Sequence, residues 1–82
     1  MSIAQLMLIQ KQCKLTDMEL ARFNQMSINQ ASYQNGRTAK DMRIHHDKIK
    51  SLVSGGYLKS AGFCYTNGGK IREDLFIINA TA

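Results

Sequence analysis

The 82 residues carry eleven lysines and arginines against six acids, a formal net charge of +5, and 44% of them are hydrophobic. A chain of this size makes one domain that buries roughly 60–65% of its unfolded surface without covalent staples, and its apolar content is that of a globular protein. No apolar run is long enough to cross a bilayer, no basic cleavable leader opens the chain, and two cysteines without CxxC spacing (Cys13 and Cys64) fit free thiols in a cytoplasmic protein.

With no proline in the chain, capping residues and glycines supply the punctuation. The first helix is predicted from Ser2 to about Lys14. Ile3, Leu6 and Met7 share one face, and Ile9 and Cys13 extend it from Leu6 at i+3 and i+7. Thr16 followed by Glu19 is a capping-box signature, so a second helix should start at Asp17 and carry Met18, Leu20, Ala21 and Phe23. Ser27 with Gln30 repeats that signature more weakly. A short third helix, or a continuation of the second, is expected to stop at Asn35-Gly36. Met7, Met18, Met26 and Met42 read as core.

Thr38 with Asp41 opens the next helix, and the pattern that follows is the most informative in the chain. Ala39 and Met42 lie on one face, Ile44 fills a corner, and Ile49, Leu52 and Val53 make the i, i+3, i+4 stripe of another helix. A small residue such as Ala39 is what two helices need where they cross closely at a steep angle. This is a helix-turn-helix pattern over residues 38–54, and it makes DNA the first partner to consider. The second of the two helices should begin near His45 or His46 and stop at Gly55-Gly56. Its outward positions are His46, Asp47, Lys50, Ser51 and Ser54, with His45 and Lys48 at the flanks. Lys50 suits guanine O6/N7, His46 donates or accepts at a base edge, Asp47 suits a cytosine amino group, and Ser51 is permissive. Arg37, Lys40, Arg43 and Lys48 are placed to neutralise phosphates. Charge follows the same division: residues 1–34 hold three cations and two anions, a net of +1, and residues 35–82 hold eight cations and four anions, a net of +4. A polyanion partner fits that excess.

After Gly56 two β-rich runs flank Asn67-Gly68, a hairpin signal because a type I′ turn needs positive φ at both central residues. A two-residue turn would pair Tyr65 with Lys70, Cys64 with Ile71 and Phe63 with Arg72. Phe63, Tyr65, Lys70 and Arg72 would then share a face. The hairpin either closes the core or serves as a wing, with Lys70 and Arg72 touching phosphates beside the groove that the helix enters.

The run Thr38-Ala39-Lys40-Asp41-Met42-Arg43-Ile44-His45-His46-Asp47-Lys48-Ile49-Lys50-Ser51-Leu52-Val53 resembles the helix-turn-helix of lambda-type Cro repressors in most apolar and small positions, including its opening Thr-Ala-Lys-Asp. The resemblance covers residues 35–54. It departs at Arg43, where that family usually has a corner glycine with positive φ. Over residues 38–79 the order helix-turn-helix, Ser54-Gly55-Gly56-Tyr57-Leu58-Lys59, hairpin is similar to the winged-helix superfamily. The resemblance implies a small α+β winged helix-turn-helix domain, with N-terminal helices over residues 1–34 and a C-terminal hairpin wing over residues 57–79. It implies sequence-specific binding of double-stranded DNA by a transcriptional regulator of bacterial or phage type. Two other readings are a winged-helix module that binds protein through the same faces, and an RNA-binding or architectural protein with the interleaved Phe63, Tyr65, Lys70 and Arg72 as its stacking surface.

A further expectation concerns association. Ile3, Leu6, Met7 and Ile9 make a face too apolar for water, and Met1 and Leu8 add apolar surface on the other side. The helix must cover the domain's own core or bury itself against a second copy. A two-fold dimer presents two reading heads to two half-sites, so a homodimer through this helix is expected. No enzyme is expected, since nucleotide-binding loop, nucleophile elbow and His-Glu-x-x-His are all lacking and Glu73-Asp74 alternate faces in a strand. No cofactor or metal is expected either: adjacent helical histidines point apart, and no cysteine or further histidine lies at ligand spacing from His45-His46.

Overall fold

Two reciprocal capping boxes start the fold. The computed structural model describes residues 2–30 and 35–79. Ser2 Oγ accepts from Gln5 N at 3.2 Å while Gln5 Oε1 accepts from Ser2 N at 3.1 Å, and α1 follows as Ile3–Cys13. It closes on Lys14 in the left-handed region (φ 56) and drops the buried Leu15 inward. Thr16 and Glu19 repeat the exchange at 3.1 and 2.9 Å to open α2, Asp17–Ile28. Ser27 therefore lies inside α2 and starts no helix of its own. The expected run up to Asn35 falls partly on residues 31–34, outside the described residues.

Gly36 and Arg37 then cross the hairpin. Arg37 N donates to Phe76 O at 2.9 Å and Phe76 N to Arg37 O at 2.8 Å, so this short segment pairs with the C-terminal strand. Glycine is required just before it. At φ 87, a Cβ on Gly36 would meet Leu75 Cβ at 3.0 Å and Ala61 Cβ at 3.1 Å. Thr38 caps the short α3, Ala39–Met42, accepting from Asp41 N at 3.1 Å. Arg43 occupies the left-handed region (φ 56, ψ 38), so the turn keeps the geometry for which glycine is favoured. The chain passes through the buried Ile44 into α4, His46–Ser54.

Gly55 and Gly56 end α4, and Tyr57 ties three parts of the chain together. Its N–H donates to Leu52 O at 2.9 Å, its carbonyl accepts from Asn79 N at 3.0 Å, and its hydroxyl donates to Gln12 of α1. β1 (Leu58–Thr66) and β2 (Ile71–Ile78) form one antiparallel pair. The register differs from the expected one. Thr66 pairs with Ile71, Tyr65 with Arg72, Cys64 with Glu73 and Phe63 with Asp74, leaving residues 67–70 as a four-residue loop. Asn67, Gly68 and Gly69 all have positive φ (54, 68 and 86), so the third permissive residue lengthens the turn beyond Asn-Gly. Lys70 thus belongs to the loop, and the shared face holds Phe63, Tyr65, Arg72 and Asp74. A bulge at Ala61-Gly62, with Gly62 at φ 107, shifts the pairing before Ser60 meets Phe76.

The core is one cluster drawn from every helix and the base of the hairpin: Ile9, Cys13 and Leu15; Phe23 and Met26; Met42, Ile44, Ile49 and Leu52; Leu58 and Ile78. The described residues thus form a small α+β arrangement, four helices followed by a C-terminal hairpin. Three expected core residues lie outside. Met7 and Met18 are 63% and 65% exposed, and Val53 is 37% exposed. α1 turns Leu6, Ile9 and Cys13 inward, and Met7 lies beyond that arc; in α2 the inward stripe is Glu19, Phe23 and Met26. Among the described residues no helix is long and apolar enough to cross a membrane.

Candidate functional site

α4 is held from one side only. Ile49 and Leu52 sink into the core, while His46, Asp47, Lys50, Ser51 and Ser54 are all exposed along the other side. The five residues share a face because they recur at helical spacing from an anchored stripe. The sequence-assigned outer face is therefore an open surface of the fold.

The start of α4 is positioned by a buried acid on α2. Glu19 is only 6% exposed. Its Oε2 accepts from His45 N at 3.1 Å, and its Oε1 accepts from Thr16 N at 2.9 Å and Lys48 Nζ at 2.5 Å. Burial by itself pushes this carboxyl up. The hydrogen bonds from Lys48, Thr16 and His45 outweigh it and hold the pKa at about 2, against an ordinary value of 4.5. Glu19 thus fixes both the entry and the first turn of α4. Lys48, expected to meet phosphate, turns its ammonium to Glu19 and is half-buried there. The capping signature at Thr16 identified Glu19 as a helix starter. Nothing local in the sequence signals its reach to residues 26 and 29 positions away.

Cations gather beside this junction. A hollow of about 620 Å³ brings Arg22, Lys40, Arg43 and Lys48 together with His45 and His46. Arg37 lies in an adjoining hollow with Arg22 and Arg43. Arg22 belongs to the cluster, though no sequence signal connected it to the turn. Its Nη1 donates to Arg43 O at 2.9 Å and braces the corner. The predicted phosphate-binding residues Arg37, Lys40 and Arg43 are thus neighbours in space. Lys70 and Arg72 lie apart from them on the hairpin. There Arg72 sits 4.3 Å above the Phe63 ring and 3.7 Å from Asp74 Oδ1, and Phe63 and Tyr65 make an edge-to-face pair at 5.7 Å.

Between α4 and the hairpin runs a groove of about 550 Å³. Ala39, Ile49, Val53 and Phe76 give it an apolar lining; His46, Lys50 and Ser54 stand on the α4 side, Glu73 and Asp74 on the β2 side. The exposure of Val53 is explained by this groove. The acidic pair comes beside the α4 face only through the packing of β2, and nothing local in the sequence signals it.

At the tip of α4 the two histidine rings stack, with centroids 4.4 Å apart and planes at 28°. The expectation that they point apart fails because His45 is the N-cap, with φ −58 and ψ 140, and only His46 is helical. Asp47 completes the group. Its Oδ2 is 3.7 Å from His45 Nδ1 and its Oδ1 is 3.3 Å from His46 Nε2.

No family model, curated protein or solved structure matches this chain. The assignment of function therefore rests on the geometry and chemistry of these residues.

Proposed function

We propose that this chain is a sequence-specific double-stranded DNA-binding protein, a transcriptional regulator of bacterial or phage type acting in the cytoplasm as a winged helix-turn-helix domain. The observation that carries this reading is the outer face of α4. It is a nine-residue helix anchored by Ile49 and Leu52, with hydrogen-bonding and charged side chains along its exposed side and a cluster of cations at its N-terminal end. An α-helix of this kind fits a major groove, where the residues of its first turns meet base edges. His46, Asp47, Lys50, Ser51 and Ser54, with His45 at the flank, are the base-reading set. Arg37, Lys40 and Arg43 contact phosphates on one side, and Lys70 and Arg72 do so from the hairpin. Lys48 contributes mainly through Glu19, by holding the helix in place.

The homodimer belongs to the same proposal. α1 covers the core with Leu6, Ile9 and Cys13 and still leaves Ile3, Met7 and Leu8 exposed on adjoining parts of its surface. Burying them against a second copy would place two α4 faces on two half-sites.

The groove favours one alternative. Glu73 and Asp74 repel phosphate on the side facing His46 and Lys50, and the apolar lining between them suits a protein segment. A winged-helix protein-binding module would use this groove. Mobility shift against a randomised duplex pool, at two salt concentrations, separates the readings. Enrichment of a defined motif with steep weakening by salt supports the DNA reading. Absence of any enriched motif refutes it.

A further inference from the structure

His45, His46 and Asp47 hold nitrogen and oxygen donors at chelating distances. The donor atoms of the three side chains all lie within 4.8 Å of one another. A tetrahedral ion with bonds of about 2.0–2.1 Å needs ligands about 3.3 Å apart. His46 Nε2 lies 3.3 Å from Asp47 Oδ1 and His45 Nδ1 lies 3.7 Å from Asp47 Oδ2, so each imidazole faces one of the two carboxylate oxygens. We propose that these three residues bind a late first-row divalent cation, zinc or nickel, at the N-terminal tip of α4.

The donor set favours these ions, because two imidazoles and one carboxylate suit zinc and nickel better than magnesium or calcium. The side chains are free to close on an ion. His45, His46 and Asp47 are 57%, 69% and 71% exposed, and closing on an ion turns the two rings out of their mutual stack. His45 Nδ1 now accepts from Asp47 N at a long 3.3 Å, a weak cap that an ion displaces at small cost. Lys40 and Arg43 open onto the same hollow, and the helix N-terminus carries partial positive charge. Both oppose a dication and weaken its binding. Lys48 adds little to this opposition, since Glu19 matches its charge. Water fills the remaining coordination positions, so the ion exchanges readily.

The site does not depend on the DNA reading, although on that reading a bound ion removes His46 and Asp47 from the base-reading set. It is tested on the full chain without DNA, by calorimetric titration with zinc chloride and with nickel chloride at one fixed pH of about 7.5, since metal affinity depends on pH. One saturable micromolar site per chain is expected. Paramagnetic nickel should broaden the amide resonances of residues 45–47 before any others. His46→Gln should weaken binding about tenfold or more, as should His45→Asn, which keeps an N-cap acceptor while removing the imidazole. Cys64→Ser should leave the titration unchanged. No saturable uptake at about millimolar metal, or uptake that survives the combined His45→Asn and His46→Gln substitutions, overturns the proposal.

Discussion

Replacing Glu19 by glutamine removes one charge and almost no volume, from a side chain that accepts hydrogen bonds from Thr16, His45 and Lys48. A folded-state pKa of about 2 against an ordinary 4.5 corresponds to about 3 kcal/mol of stability in the ionised form. The amide keeps one accepting oxygen and turns an NH₂ towards groups that are themselves donors, so most of that contribution should be lost. A loss of about 2–3 kcal/mol lowers the melting temperature of a domain of this size by roughly 10–20 °C. The pH dependence has a definite sign. Because the folded pKa is depressed, the contribution is fully present above about 4.5 and disappears as pH falls through about 2. Urea titrations of wild type and Glu19→Gln across that range should show a constant gap at neutral pH that narrows from about pH 4.5 downwards. A gap below about 0.5 kcal/mol at neutral pH, or one that persists undiminished to about pH 2, would refute the role assigned to Glu19.

Lys50→Ala should cost about 1–3 kcal/mol on a cognate duplex and relax its base preference, with the circular dichroism unchanged; an unaltered preference sinks the assigned face. Arg43→Gly relieves a left-handed arginine and should raise stability by about 0.5 kcal/mol while weakening duplex binding; a destabilised variant contradicts this account of the turn. Combined replacement of Lys70 and Arg72 by alanine should lower the salt slope of binding by roughly two, and a wild-type slope would leave the hairpin with a structural role alone. Ile3→Glu with Met7→Glu should sediment as a monomer at concentrations where the wild type is dimeric. A wild type that stays monomeric, or a variant that stays dimeric, removes α1 from any interface.

Local rules carried much of the fold. Ser2 with Gln5, Thr16 with Glu19, and Thr38 with Asp41 start helices through hydrogen bonds three residues long, so the sequence by itself determined where α1, α2 and α3 begin. The same holds for the stop at Gly55-Gly56 and for the two β-rich runs. Helical periodicity also placed His46, Asp47, Lys50, Ser51 and Ser54 opposite Ile49 and Leu52. What it did not set is how much of each apolar arc another element would cover. Only tertiary packing decided that Leu6 and Ile9 turn inward while the chain's own core leaves Ile3 and Met7 uncovered, or that Val53 borders a groove. The hairpin register escaped for a related reason: Asn67, Gly68 and Gly69 all tolerate positive φ, so turn chemistry alone permits more than one loop length. Glu19 shows the limit most sharply. Its capping role is local and legible, but its hold on His45 and Lys48 exists only once α2 packs beside α4. A buried carboxylate takes whatever donors the fold brings to it, from residues far along the chain.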